Sequence, residues 1–179
     1  WPDKTPKPEW NWWNPTGREL VTQWRTTPAV VDFTGDKLPD LVMLDHEGYL
    51  ALFARRRGDD GKLLLMPGER VFVDEAGKPL PMNAGRAGKS GRRKLCVVDW
   101  DCDGRLDVLA NGTNAEWLRN VRDEDGRMVL KNMGSLAKLN LAAHDTSPST
   151  VDWDRNGRRD LILGAEDGVI YILRNEISS

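Results

Sequence analysis

The chain has 179 residues, with 28 acidic against 26 basic side chains and a formal net charge of −2. That near balance points away from a nucleic-acid binder or a membrane-surface protein, and a hydrophobic content of 39% suits one soluble domain with a modest core. No apolar run approaches the roughly 18–20 residues needed to cross a bilayer, and the start lacks the basic, apolar, small-residue order of a signal peptide, so no membrane span is expected and any export signal is expected to have been removed.

Residues 1–24 hold five of the eight tryptophans (Trp1, Trp10, Trp12, Trp13 and Trp24) and stand apart from the rest in composition. A β-prone run, AVV, then leads into DFTGDKLPD from Asp32 to Asp40, followed by LVML and by the turn-and-strand stretch EGYLALFAR. The segment KLLLMPGERVFVDEAGKPL predicts an additional hairpin, with turn chemistry at Pro67-Gly68 and Ala76-Gly77-Lys78. Residues 83–94, rich in Gly and Arg, read as an exposed loop. A second run, CVV, enters DWDCDGRLD from Asp99 to Asp107, then VLA and NAEWLRN; a third, STV, enters DWDRNGRRD from Asp152 to Asp160, then LIL and DGVIYILRN.

The three nine-residue windows align without gaps, and two share a lead-in at Thr27-Pro28 and Ser147-Pro148. Each unit is a strand, an acidic loop, a strand, a turn and a strand, with almost no helical periodicity, which predicts an all-β fold. Successive first aspartates lie 67 and 53 residues apart, the size of a four-stranded propeller blade and too large for a β-helix coil. The expected architecture is therefore about three four-stranded antiparallel β-propeller blades over residues 25–179, divided near 25–90, 91–145 and 146–179, with residues 1–24 as a linker or the tail of a preceding blade.

Within each window, oxygen donors fall at places one, three, five and nine: Asp32, Thr34, Asp36 and Asp40; Asp99, Asp101, Asp103 and Asp107; Asp152, Asp154, Asn156 and Asp160. Alternate residues of a tight loop can face one centre, and the seventh-place carbonyls of Leu38, Arg105 and Arg158 are free to join them. Six to eight oxygens at about 2.3–2.6 Å suit calcium better than magnesium. Asp, Asn and Gly also build plain acidic turns, but three or four such donors packed into nine residues, three times in register, repel without a cation. The prediction is two or three bound calcium ions. The first window is the weakest, because Thr34 replaces a carboxylate and Lys37 replaces the turn glycine, leaving Gly35 to take over the turn. An EF-hand is excluded, since its loop needs Glu at the twelfth place, where Met43, Ala110 and Leu163 stand. The second-place aromatics, Phe33, Trp100 and Trp153, are expected to turn from the cation into the packing between blades.

On these windows and their flanks the chain resembles the VCBS/FG-GAP repeats of calcium-binding β-propellers, the class also found in integrin α-subunit heads. The resemblance covers about residues 25–54, 92–120 and 146–176 and implies the fold and the metal; such propellers serve in adhesins, in polysaccharide lyases and as carbohydrate-binding parts of exported proteins. Three repeats are fewer than the four to eight blades of a closed propeller, so the remaining blades are expected from the same or another chain.

Beyond the loops, basic residues collect at Arg55-Arg56-Arg57 and from Arg86 to Lys94, where they suit anionic polysaccharides or simply solvated loops. His46 and His144 are the only histidines and the weak candidates for a catalytic base in a lyase, with Tyr49 the nearest partner of His46; ordinary surface histidines explain them as well. Trp10, Trp12 and Trp13 offer either a sugar-stacking platform or anchors for the terminus. Cys96 and Cys102 are expected unpaired, and Asn111-Gly112-Thr113 matches a glycosylation sequon at a strand end, read as accidental. Together these features predict a calcium-stabilised recognition module of an extracellular, cell-surface or periplasmic protein, binding carbohydrate or protein, with a propeller-fold polysaccharide lyase or glycoside hydrolase as the alternative.

Overall fold

A computed structural model describes residues 20–83, 91–138, 140–141 and 146–177. Among them every regular element is a strand, so the all-β expectation holds. Three mainly antiparallel sheets follow one another, each with a window-led strand at its centre or near it, and a two-stranded ribbon is the fourth sheet.

The first sheet runs β1 (Ala29–Val31), β2 (Asp40–Leu44) and β3 (Leu50–Phe53). Next come a short ribbon of β4 (Arg55–Arg57) with β5 (Leu63–Leu65), and β6 (Phe72–Val73). The second sheet combines β7 (Leu95–Val98), β8 (Asp107–Asn111), β9 (Ala115–Glu124) and β10 (Arg127–Ser135) in the order β6-β10-β9-β8-β7. The third contains β11 (Ser147–Val151), β12 (Asp160–Gly164) and β13 (Ile170–Leu173).

Four strands per unit were expected; the sheets have three, five and three. The inserted stretch of the first unit accounts for the first two counts. Rather than forming one hairpin, it divides: β5 folds back on β4, Glu69 pairs with Leu52, and β6 leaves its own unit to lie parallel to β10, with Met128 opposite Phe72. The Ala76-Gly77-Lys78 turn does form, held by Asp74 Oδ1, which accepts from the Ala76 and Lys78 N–H groups at 2.9 and 2.8 Å. Between β9 and β10 the chain reverses through Asp125-Gly126, both at positive φ (51° and 73°), the backbone of a type I′ hairpin turn.

Two apolar cores separate the sheets. Between the first and second lie Val42, Leu44, Leu50 and Leu52 against Val108, Leu118 and Phe72. Between the second and third lie Trp100, Leu109 and Ala115 against Leu161 and Leu163. The second sheet is thus covered on both faces, which explains why Asp-Val-Leu-Ala-Asn of β8 is buried at every position.

Candidate metal centres

Each window joins the end of one strand to the start of the next, and the same hydrogen bonds recur in all three. The first-place carboxylate accepts from the sixth-place N–H: Asp32 from Lys37, Asp99 from Gly104 and Asp152 from Gly157, each at 3.0 Å. The fifth-place oxygen accepts from the seventh-place N–H: Asp36 from Leu38 (2.9 Å), Asp103 from Arg105 (2.9 Å) and Asn156 from Arg158 (2.8 Å). These bonds fold the loop so that alternate side chains converge.

The backbone matches as well. The fourth place is left-handed in every window, with φ of 74° at Gly35, 60° at Cys102 and 61° at Arg155, and so is the sixth, at 67° for Lys37, 89° for Gly104 and 87° for Gly157. Gly35 therefore does not replace the missing turn glycine. Lys37 itself carries the positive φ, a conformation that strains a residue with a Cβ.

The ninth-place aspartates do more than was read from the sequence. Asp40, Asp107 and Asp160 are fully buried and open β2, β8 and β12. In each, Oδ2 accepts from the second-place N–H, at 3.0 Å from Phe33, 3.2 Å from Trp100 and 3.0 Å from Trp153. Their Oδ1 accepts from the residue just past the third strand's apolar run: Arg55 (2.7 Å), Asn120 (2.7 Å) and Asn175 (2.9 Å). One carboxylate thus ties the loop's start to the far side of its sheet. The signal lay in the shared Arg or Asn that ends EGYLALFAR, NAEWLRN and DGVIYILRN. Burial, with the Asp101 charge adding, pushes the Asp107 carboxyl up to about 6 even though it accepts three N–H groups, including Trp117 Nε1–H at 3.1 Å.

Two acidic clusters can hold a metal ion: Asp99, Asp101 and Asp103, and Asp152, Asp154 and Asp160, with one oxygen from each residue of a cluster within 4.8 Å of the others. Asp107 is outside the first cluster. Asp160 belongs to the second, and its bonds to backbone N–H groups leave lone pairs for a cation, since an ionised carboxylate offers about four. The donors are all oxygen, which fits a hard cation. In the second window Asp101 is buried, with its side chain 6% exposed; Oδ2 lies 2.6 Å from Arg119 Nε, while Oδ1 has no hydrogen-bond partner.

The first window supplies no such cluster among the described residues. Asp36 instead pairs with Arg56 Nη1 at 3.0 Å, which also donates to Thr34 Oγ1 at 3.3 Å. The Leu38 N–H and the Arg56 guanidinium hold the Asp36 carboxyl below its usual range.

The second-place aromatics do not all pack. Phe33 meets Phe72 edge-on with ring centroids 5.3 Å apart, and Trp100 is 2% exposed, but Trp153 is 59% exposed. No sheet covers it among the described residues.

His46 sits half-buried in the turn between β2 and β3. Around it, Asp45 Oδ1 accepts from the Glu47 and Tyr49 N–H groups (2.9 and 3.0 Å), and Arg70 pairs with Asp45 and Glu47 while its guanidinium lies 4.1 Å over the Tyr49 ring. These contacts lock a turn. His144, Trp10, Trp12 and Trp13 lie outside the described residues. Cys96 and Cys102 are free thiols; Cys96 lies 3.6 Å from Thr150 Oγ1, across the boundary between the second and third sheets, and burial raises its pKa. Asn111 of the sequon is 1% exposed, with Oδ1 accepting from the Lys94 N–H, so its amide is no glycan acceptor in the folded chain.

A cleft of about 310 Å³ adjoins the second window, lined among others by Phe33, Arg105, Asn120, Asp123 and Arg127. No family model matches the chain, and neither a curated protein nor a solved structure matches it significantly.

Proposed function

We propose that the chain is a calcium-stiffened β-module of propeller type from an exported protein, in which the second and third windows each hold one ion. The observation that carries the reading is the second window: three converging carboxylates, one with a buried oxygen that no donor satisfies. A buried, unpaired carboxylate oxygen is costly, and a cation at the cluster removes that cost. Arg119, paired with Asp101 and Asp103, neutralises part of the cluster without the ion and has to give way to it. In the first window no third carboxylate converges and Arg56 already pairs with Asp36, so the expected number of ions is two. Loops of this kind fill at the millimolar calcium found outside cells, which is the ground for the exported setting.

The module's role is recognition. Its cleft beside the second window combines an aromatic ring, two arginines and an amide with the Asp123 carboxylate, which accepts from the Asn120 amide, and a carboxylated sugar would meet the arginines.

The test is calorimetric titration of metal-stripped protein with calcium, with Tm followed in parallel. Two ions and a raised Tm are expected, falling to one ion in Asp101→Asn. Absence of binding sinks the reading. A stoichiometry of three sinks the role given to Arg56. Binding of a uronate oligosaccharide, lost in Arg127→Ala with Tm unchanged, is the expected sign of the recognition role, and its absence across uronate ligands removes the sugar from it.

A further inference from the structure

Each acidic cluster brings three aspartates, so their formal charges are equal and charge alone would fill them alike. Their basic neighbours differ. In the second window Arg119 Nε lies 2.6 Å from Asp101 Oδ2, and Arg119 Nη2 lies 3.4 Å from Asp103 Oδ2, an oxygen that Arg105 Nη2 also reaches at 2.5 Å. Guanidinium groups thus stand on two of the three carboxylates that a cation would use. In the third window, among the described residues, no basic side chain pairs with Asp152, Asp154 or Asp160.

The counterpart of Arg119 is Arg174: each stands one residue before the asparagine whose backbone N–H closes the ninth-place clasp, Asn120 or Asn175. Sheet pairing separates them. β9 continues to Glu124 because β10 pairs along it, with Lys131 opposite Arg119, so Arg119 stays in extended strand beside its window. β13 stops at Leu173, and Arg174 lies beyond it, exposed, where Asn175 is drawn to the second sheet by its bond to the Trp100 carbonyl.

We propose that Arg119 is a built-in competitor for the ion of the second window, so that the third window fills first and the second fills only at higher calcium. The proposal rests on the reading of both windows as calcium sites. An ion binds from the state in which the pair is open, and its apparent affinity falls by the fraction of time that state is populated. The pair opens readily. Arg119 Nε–H has no hydrogen-bond acceptor, so its approach to Asp101 is a contact of charges rather than an aligned hydrogen bond, and its side chain, 36% exposed, has solvent to move into. Asp101 Oδ1, which Arg119 leaves without a partner, gains one from the ion. Arg105 touches only Asp103 of the cluster and is anchored as well by donating from Nε to the Asn120 carbonyl at 3.1 Å; Arg119 spans both carboxylates. Arg119 therefore stabilises the ion-free loop alone, by offsetting the mutual repulsion of Asp99, Asp101 and Asp103. The module then responds to calcium in two steps.

Calorimetric titration of the metal-stripped full chain tests the proposal, with Tm read in chelator and in saturating calcium. Two binding phases are expected. Asp154→Asn should weaken or remove the tighter phase and Asp101→Asn the looser, an order read without touching Arg119. Arg119→Gln should tighten the looser phase about tenfold, the scale of one interaction with a charged group, and leave the tighter phase unchanged, with Arg119→Lys in between. In chelator the Tm of Arg119→Gln should drop below that of the wild type; in saturating calcium the two should coincide, which also verifies that the variant folds. A looser phase unchanged or weakened in Arg119→Gln overturns the proposal, as does loss of the tighter phase in Asp101→Asn or a single affinity for both ions. Each of these results leaves the wild-type chain with two ions and the calcium reading intact, whereas absence of binding at both windows removes that reading and the proposal together.

Discussion

Trp100 and Trp153 stand at the second place of windows that share six of nine residues, DWDCDGRLD and DWDRNGRRD. Their loops match in left-handed positions and in the ninth-place clasp. Yet one ring is 2% exposed and the other 59%. Short-range sequence therefore sets the loop, and the neighbouring sheet sets what its aromatic residue is worth. Asn175 shows how closely that neighbour is engaged at the buried site, for its Nδ2 donates to the Trp100 carbonyl at 2.7 Å while its backbone N–H closes the third-sheet clasp.

The largest expected effect breaks the comparison directly. Trp100→Ala should cost about 3–5 kcal/mol, the usual loss for a buried Trp truncated to Ala. Trp153→Ala should stay within about 0.5 kcal/mol. Urea unfolding of both variants decides it, and equal costs would mean that the two sites are not distinguished by burial.

A smaller pair of effects sharpens the part that the windows share. Gly104→Ala and Gly157→Ala should each cost about 1–2 kcal/mol, the penalty of a Cβ in the left-handed region. Nothing lies within 4 Å of the added carbon at either place, so backbone strain alone is measured. Lys37→Gly should do the reverse and stabilise by roughly 0.5–1 kcal/mol, because the strain it relieves exceeds the entropy that glycine adds to the unfolded chain. A destabilised Lys37→Gly would show that the Lys37 side chain contributes more than its backbone costs.

The smallest effect depends on pH. Burial raises the Asp107 carboxyl from 3.8 to about 6, so between those values the folded chain holds this proton more tightly than the unfolded chain does. Its contribution to stability is then fully present below pH 3.8 and is lost as pH rises through about 6. In chelator, wild-type Tm should fall relative to Asp107→Asn as pH is raised from the acid side through that window. Parallel profiles for the two proteins would contradict the shift.

Much of this was legible in one dimension because it is local. The windows, their convergent donors, the β-prone runs around them and the Asp74–Lys78 turn rest on hydrogen bonds within about five residues. The clasp was half legible: its acceptor was named as a ligand, while its donors at Arg55, Asn120 and Asn175 lie 13 or 15 residues on and needed the third strand's register. Arg56 and Arg119 were unreadable as partners of Asp36 and Asp101, since nothing in residue spacing says which way a long basic side chain turns.

The amino-acid sequence by itself determined an all-β chain with three acidic loops of one design, because strand alternation and turn chemistry act over a few residues. Only the tertiary structure decided that β6 crosses to β10, that the sheets have three, five and three strands, and that one window's tryptophan is core while the next is surface. Those outcomes depend on which sheet lies beside which, and sheet neighbours are set by contacts between residues far apart in the chain.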